Sequence, residues 1–192
     1  MKKRTAFIGL ILSLMPFGYP LYVKTGFILS TTGLMFFVPE KVNAETSNFY
    51  FDRGLEKGIK GDHYGAISDY TKAIELNPNF SVAFYNRGWN KTQLKDYYGA
   101  ISDYTKAIEI DPQYENAYYN RGLSKSKIKD YYGAISDYTK VIEINPNEKS
   151  AFKNRGIDKE NIGDLKGACL DWRRTAVLSP SDAAAKWVKD QC

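Results

Sequence analysis

The stretch YYGAISDYTK occupies residues 97–106 and recurs without change at residues 131–140. A third copy, HYGAISDYTK, begins at His63 and differs only in its first residue. The copies therefore begin 34 residues apart each time. A fixed period of about 20–50 residues is typical of chains built from stacked supersecondary units. The decapeptide thus predicts a repeat array.

Four units in register follow when this period is counted from Ser47, and each place in a unit is numbered from its first residue. Every unit ends near a proline preceded by Asn, Asp or Ser, a pair that stops a helix. The units are residues 47–80, 81–114, 115–148 and 149–182. Residues 183–192 then predict a capping helix that shields the end of the stack from solvent.

Each unit predicts two helices joined by a short turn. Glycine recurs at place 8 and alanine at place 20, at Gly54, Gly88, Gly122 and Gly156 and at Ala66, Ala100, Ala134 and Ala168. Glycine inside a helix costs roughly 1 kcal/mol relative to alanine, so its fourfold use indicates a packing role. We expect these glycines and alanines to face each other, with aromatic residues at places 4 and 24 filling the space around them.

The pattern of aromatic, Gly, Ala, aromatic and Pro at places 4, 8, 20, 24 and 32 resembles the tetratricopeptide repeat. Together with the N-terminal segment described below, it is similar to bacterial tetratricopeptide-repeat proteins that carry an export signal or membrane anchor. The resemblance implies an all-α fold, a right-handed α-solenoid of four helix-turn-helix hairpins. It also implies that the first helices line a concave groove.

By the same resemblance, places 2, 5, 6, 9, 12 and 13 face this groove. An asparagine amide at place 6 could grip the backbone of an extended peptide whatever its sequence, and apolar residues at places 5 and 9 could anchor side chains. The alternatives are that the asparagines stabilise helix packing and that Trp89 belongs to the core. The family's carboxylate clamp is not supported, because Lys153 alone fits it. The candidate groove residues are Phe51, Asp52, Leu55, Tyr85, Asn86, Trp89, Tyr119, Asn120, Leu123 and Asn154.

Charges also recur with the period. Arginine at place 7 and lysine at place 11 lie four residues apart on the first helix, where like charges repel. An aspartate recurs at place 23 of the second helix, which predicts an Arg–Asp pair across each hairpin. The alternative is a solvated pattern worth less than ~1 kcal/mol per pair. The residues are Arg53, Arg87, Arg121 and Arg155, Lys57, Lys91, Lys125 and Lys159, and Asp69, Asp103, Asp137 and Asp171.

The N-terminal segment has a different character. A basic start at residues 2–4 precedes long apolar runs, and residues 38–44 read VPEKVNA, a typical end for a secretory signal cleaved before Glu45. An uncleaved anchor is the alternative, since residues 5–23 approach the length that spans a bilayer. Residues 1–44 are therefore predicted to be a signal peptide or a membrane anchor, which makes the protein periplasmic or membrane-attached through residues 5–38.

The remaining composition argues against other function classes. The net charge of +5 falls to +1 for residues 45–192, so a nucleic-acid partner is not expected. His63 is the one histidine and occupies a place that is tyrosine in the next two units, so we interpret it as a packing residue of the turn. Motifs for catalysis, a metal or a cofactor do not occur. Cys169 and Cys192 either form a disulfide or leave Cys169 as a small core residue.

These observations predict a non-catalytic scaffold without cofactors that binds a protein or peptide partner in its groove. The alternative is a membrane-tethered assembly factor, in which the N-terminal segment stays as an anchor and the array recruits a membrane complex.

Overall fold

The computed structural model describes residues 27–29, 35–37 and 41–179, together with Val188 and Cys192. The chain forms two compact units, Met1–Val42 and Asn43–Cys192. In the first unit, strands β1 (Phe27–Leu29) and β2 (Met35–Phe37) pair antiparallel, with Ile28 opposite Phe36. We had not expected these strands; their aromatic and aliphatic residues favour extended structure. Apart from these strands and residues 41–44, the predicted signal or anchor lies outside the described residues.

The second unit is all-α, as predicted, and its consecutive helices pack as antiparallel hairpins. The first helix begins at Lys41, before the first repeat unit, and includes the Ala44–Glu45 bond. None of the described helices has the length and hydropathy needed to cross a membrane. The helices are α1 (Lys41–Ile59), α2 (His63–Leu76), α3 (Ser81–Gln93), α4 (Tyr97–Ile110), α5 (Glu115–Lys127), α6 (Tyr131–Ile144), α7 (Lys149–Asn161) and α8 (Leu165–Leu178).

An aspartate begins the second helix of every hairpin. Its side chain accepts a hydrogen bond from the backbone N–H three residues later, at 2.9–3.0 Å, and so satisfies one of the free donors at the helix start. The residue that donates is a glycine each time. The pairs are Asp62 with Gly65, Asp96 with Gly99, Asp130 with Gly133 and Asp164 with Gly167.

The turn between the two helices needs a left-handed residue at place 15. Two units use glycine there, Gly61 and Gly163, with φ of 81° and 84°. The other two use lysine, Lys95 and Lys129, with φ of 62° and 65°. Since a side chain is disfavoured in this region, the two lysines are held there by the helices on either side.

The core lies between the two helices of each hairpin and between neighbouring hairpins. The alanines at place 20 are fully buried, and so are the rings at place 24, Tyr70, Tyr104, Tyr138 and Trp172. A Cβ added to Gly54, Gly88 or Gly122 would lie 2.9–3.0 Å from the tyrosine ring at place 24. The glycine at place 8 therefore makes room mainly for this ring, rather than for the alanine that we expected to face it.

At the C-terminal end, a disulfide joins Cys169 in α8 to Cys192. The remaining part of the predicted capping helix, residues 183–192, lies outside the described residues apart from Val188.

Candidate functional site

The predicted Arg–Asp pairs are confirmed in all four hairpins. Each arginine at place 7 donates through Nε and Nη2 to the two carboxylate oxygens of the aspartate at place 23, at distances of 2.5–3.0 Å. These bidentate pairs are nearly removed from solvent on the aspartate side, because each carboxylate is at most 4% exposed.

The lysine at place 11 completes each pair, which the sequence did not predict. Its Nζ lies 2.8 Å from the second oxygen of the same aspartate, so the two cations converge on one anion instead of repelling each other. In the first hairpin, the hydrogen bond from Arg53, aided by Lys57, lowers the pKa of Asp69 from 3.8 to about 2 despite its burial.

The same arginines also connect neighbouring hairpins. Nη1 of Arg87, Arg121 and Arg155 donates to a threonine hydroxyl at place 25 of the preceding unit, at 3.0 Å each time. The guanidinium group also stacks 5.4–5.6 Å from the aromatic ring at place 4. Each arginine therefore joins two helices of its own hairpin to the hairpin before it. The acceptors are Thr71, Thr105 and Thr139.

Two of the predicted groove asparagines are bound to tyrosines of the preceding unit. Nδ2 of Asn120 donates to the hydroxyl of Tyr85 at 3.0 Å, and Nδ2 of Asn154 donates to the hydroxyl of Tyr119 at 2.9 Å. Burial raises the pKa of both tyrosines. This geometry favours the stabilising interpretation for Asn120 and Asn154, because their amides are already used inside the array.

Asn86 is different. Place 5 of the unit before it is Phe51, a phenylalanine, which has no hydroxyl to accept a hydrogen bond. Nδ2 of Asn86 donates to the backbone oxygen of Val82 at 2.8 Å. Among the described residues, its second N–H and its Oδ1 have no partner. The amide of Asn86 is thus the one most available to a ligand.

Four of the predicted residues meet in one pocket between the first two hairpins. This pocket, which we call the first groove pocket, has a volume of about 250 Å³ and carries no charged side chain in its lining. Trp89 is 38% exposed. The lining residues are Leu55, Gly58, Ile59, Tyr70, Tyr85, Asn86, Trp89 and Asn90.

The other predicted groove residues lie outside this pocket. Phe51 packs against Tyr70 and Phe80, with ring centroids 5.7 and 4.8 Å away. Tyr119 packs 5.8 Å from Tyr138, and Leu123 contacts the cluster around that ring. These residues are half-buried, so much of their apolar area stabilises the array. Asp52 is exposed and, within the described residues, takes part in no ion pair.

His63 packs in the turn, as we interpreted it, and also connects two hairpins. Its Nδ1 lies 2.9 Å from Oδ1 of the buried Asn90, whose Nδ2 donates to the backbone oxygen of Asn86. Because Oδ1 can only accept, His63 donates from Nδ1. The imidazole also lies edge-on to Trp89, 6.0 Å between centroids. His63 therefore supports one wall of the first groove pocket.

A buried carboxylate between the last two hairpins was missed by the sequence analysis. Asp158 is 1% exposed, and both of its oxygens lie within 2.6 Å of the hydroxyl of Ser126. Burial raises its pKa, although the hydrogen bonds from Ser126 and Asn161 act in the opposite direction. The corresponding residues in the two preceding units are Asn90 and Ser124. Place 10 varies along the array, with Glu56 in the first unit, so no periodic pattern in the sequence pointed to this carboxylate.

Family models for the tetratricopeptide repeat match residues 47–80 and 115–148, and a further one, described as TPR repeat, matches residues 91–129. The first two ranges are those of the first and third repeat units. A comparison with curated proteins gives no match.

Solved structures with the same fold include MamA from Desulfovibrio magneticus RS-1, at 22% identity and a TM-score of 0.66 over 71% of this chain and 77% of that one. The Arabidopsis OM64 TPR domain has 26% identity and a TM-score of 0.60, over 62% and 98% of the two chains. The first TPR of Spaghetti (RPAP3), bound to the HSP90 peptide SRMEEVD, has 25% identity and a TM-score of 0.60, over 62% and 94%. The hairpin stack, the matched ranges and these neighbours together identify the chain as one that carries tetratricopeptide repeats.

Proposed function

We propose that this protein is a non-catalytic scaffold that holds an extended segment of a partner protein along the face formed by the first helices of its hairpins. The observation that carries the proposal is the first groove pocket, where Leu55, Tyr85, Asn86 and Trp89 from two neighbouring units meet at an open surface. Aromatic rings beside the amide of Asn86, which keeps one N–H and its oxygen for a ligand, suit an apolar side chain and its peptide backbone.

The comparisons support this proposal at the level of the fold. Tetratricopeptide-repeat proteins generally act as interaction scaffolds, and the similar RPAP3 domain holds a peptide. His63, the one histidine of the sequence, is engaged by Asn90 at the wall of the pocket.

Site-specific photocrosslinking tests the proposal. A photoreactive phenylalanine analogue at Trp89 should crosslink to a defined segment of a partner in cells, and Asn86→Ala should reduce the yield. The same analogue at Tyr98, an exposed ring on the second helix of the same hairpin, is the matched control. Equal crosslinking to the same partner segment from both positions would contradict binding on the first-helix face.

The partner's compartment depends on the N-terminal segment. We propose export to the periplasm with cleavage after Ala44, on the basis of the basic start and the small residues at Val42 and Ala44. The second candidate is a membrane-tethered assembly factor, favoured by the apolar length of residues 5–38. N-terminal sequencing of the mature protein separates the two: Glu45 as the first residue rejects the tether, and an intact Met1 or Lys2 rejects cleavage.

A further inference from the structure

The first groove pocket exists because the first unit differs from the others at place 12. That place carries Thr92, Ser126 and Glu160 in the later units but Gly58 in the first. Thr92 fills the space near the place-24 tyrosine, with its hydroxyl 3.2 Å from that of Tyr104. Gly58 leaves the equivalent space beside Tyr70 open, and even a Cβ there would lie 3.3 Å from Oδ1 of Asn90.

A second difference leaves a hydrogen-bonding group at the mouth of this pocket. Both N–H groups of Asn120 are used, by the Tyr85 hydroxyl and by the backbone oxygen of Asn116. Asn86 uses only one, because Phe51 offers no acceptor. One N–H and one carbonyl oxygen of Asn86 can therefore pair with the C=O and N–H of a peptide backbone.

The third difference is a charge. Asp52 is exposed one helical turn before Leu55, and residues three apart on a helix are neighbours. Three cations of α1 already have anionic partners, since Arg53 and Lys57 bind Asp69 and Lys60 binds Glu56. Lys72 of α2 lies over the ring of Tyr50, 5.4 Å from its centroid. Among the described residues of this hairpin, the carboxylate of Asp52 thus presents an uncompensated negative charge beside an uncharged pocket.

We propose that the first groove pocket recognises an extended peptide segment of a partner protein by a large apolar side chain next to a lysine or arginine. The apolar side chain enters between Tyr70, Tyr85 and Trp89. The backbone at this residue pairs with the amide of Asn86, and the adjacent cation pairs with Asp52. This inference rests on the proposed scaffold function and specifies the ligand at one end of the groove.

The test is selection of random displayed peptides against the full-length protein, followed by measurement of binding of labelled synthetic peptides by fluorescence anisotropy. We expect the selected peptides to share a Leu, Phe, Tyr or Trp adjacent to a Lys or Arg. Replacing the apolar residue by alanine should weaken binding at least tenfold, and so should replacing the base by glutamate. Asp52→Lys should reverse the second preference, so that the glutamate peptide binds better than the original.

Two variants distinguish loss of the free hydrogen-bonding groups of Asn86 from a general loss of folded structure. Phe51→Tyr supplies the hydroxyl that captures Asn120 and Asn154 in the later units, so it should weaken binding about as much as Asn86→Ala. Tyr132→Ala changes an exposed ring on the second helix of the third hairpin and should leave binding unchanged. All variants are first compared with the wild type by circular dichroism.

The outcomes distinguish this inference from the proposed function. If groove-binding peptides are selected and lose affinity with Trp89→Ala but show no preference for a base, or keep their preference in Asp52→Lys, the inference is overturned while the scaffold function stands. If no selected peptide depends on Trp89 or Asn86, both are overturned.

Discussion

The aspartate at place 23 is an ionic centre that recurs in every hairpin. It binds an arginine and a lysine at once and is almost fully buried, whereas surface ion pairs such as Lys140–Glu143 join two exposed side chains. A buried anion of this kind is held by its partners, and losing it leaves two neighbouring cations without the anion that they share. The pattern resembles a surface charge pattern in sequence but is a core feature in the fold.

The first prediction concerns this aspartate. Asp137→Asn should lower the free energy of unfolding by roughly 3 kcal/mol, because Arg121 and Lys125 lose their shared anion. Glu143→Gln, which removes an exposed pair on the same helix, should change it by less than ~1 kcal/mol. Urea unfolding followed by circular dichroism measures both. Equal effects of the two substitutions would mean that the buried ion groups are no more important than surface pairs.

A second prediction follows from the raised pKa of Asp158. The folded chain holds this proton more tightly than the unfolded chain does, so the contribution of Asp158 is most favourable below the ordinary pKa of 3.8 and is lost as pH rises through its higher folded pKa. Asp158→Asn should therefore stabilise the protein at pH 7 and have a smaller effect near pH 4.

Asn90 shows that an amide fits at this place, because its Nδ2 finds the backbone oxygen four residues earlier. Urea unfolding at pH 4, 5.5 and 7 provides the measurement, and Asp171→Asn is a control in which the aspartate has cationic partners. A loss of stability at pH 7 in Asp158→Asn would show that the folded chain needs the charge.

At the scale of the elements, the turn between the paired helices places residues with side chains in a backbone conformation that favours glycine. Lys95 and Lys129 adopt a left-handed conformation that Gly61 and Gly163 adopt without strain. The helix that follows each lysine is capped by an aspartate, whose side chain accepts a hydrogen bond from a backbone N–H of the first turn. The lysines are therefore tolerated because the flanking helices determine the turn.

The third prediction tests this turn. Lys129→Gly should raise the free energy of unfolding by up to about 1 kcal/mol, because relief of the backbone strain exceeds the added freedom of the unfolded chain. The matched reverse change is Gly163→Ala, where no atom lies within 4 Å of an added Cβ, so any loss of stability there reflects the backbone alone. Thermal unfolding of both variants measures these changes. A lower stability of Lys129→Gly would contradict the claim that the backbone at Lys129 is strained.

The elements also show which parts could be predicted from sequence. The helices and the Arg–Asp pairs follow from places within one unit, since a residue at place 7 faces place 23 of its own hairpin. The bonds of Arg87 to Thr71 and of Asn120 to Tyr85 cross between units, and their register depends on how far one hairpin is offset from the next. That offset results from packing and is not contained in the period. The first groove pocket was only partly predicted for the same reason.

At the scale of the whole molecule, the described hairpins are stabilised by contacts between neighbours, and among them the first and the last each have one neighbouring hairpin. At the C-terminal end the disulfide from Cys169 to Cys192 closes a loop with a sequence separation of 23 residues. In the first hairpin, Arg53 has no preceding unit and is more exposed than its counterparts, at 38% against 15–16%.

The fourth prediction concerns the C-terminal end. Cys192→Ser should lower the free energy of unfolding by about 3 kcal/mol, the value expected for releasing a loop of this length. Treatment of the wild type with dithiothreitol should have the same effect and should leave the variant unchanged. Differential scanning calorimetry with and without reductant measures this. A variant that unfolds like the oxidised wild type would show that the link does not stabilise the last hairpin.

The threonine acceptors at place 25 have a consequence for the length of the array. The second and third junctions use the same arginine, threonine, asparagine and tyrosine places. A duplicate of residues 115–148 inserted after residue 148 would therefore offer its Arg121 to the original Thr139 and its own Thr139 to Arg155. Its Asn120 would likewise meet the hydroxyl of the original Tyr119. Gene duplication could therefore lengthen this protein by whole units without new contacts having to evolve, while the first groove pocket stayed unchanged.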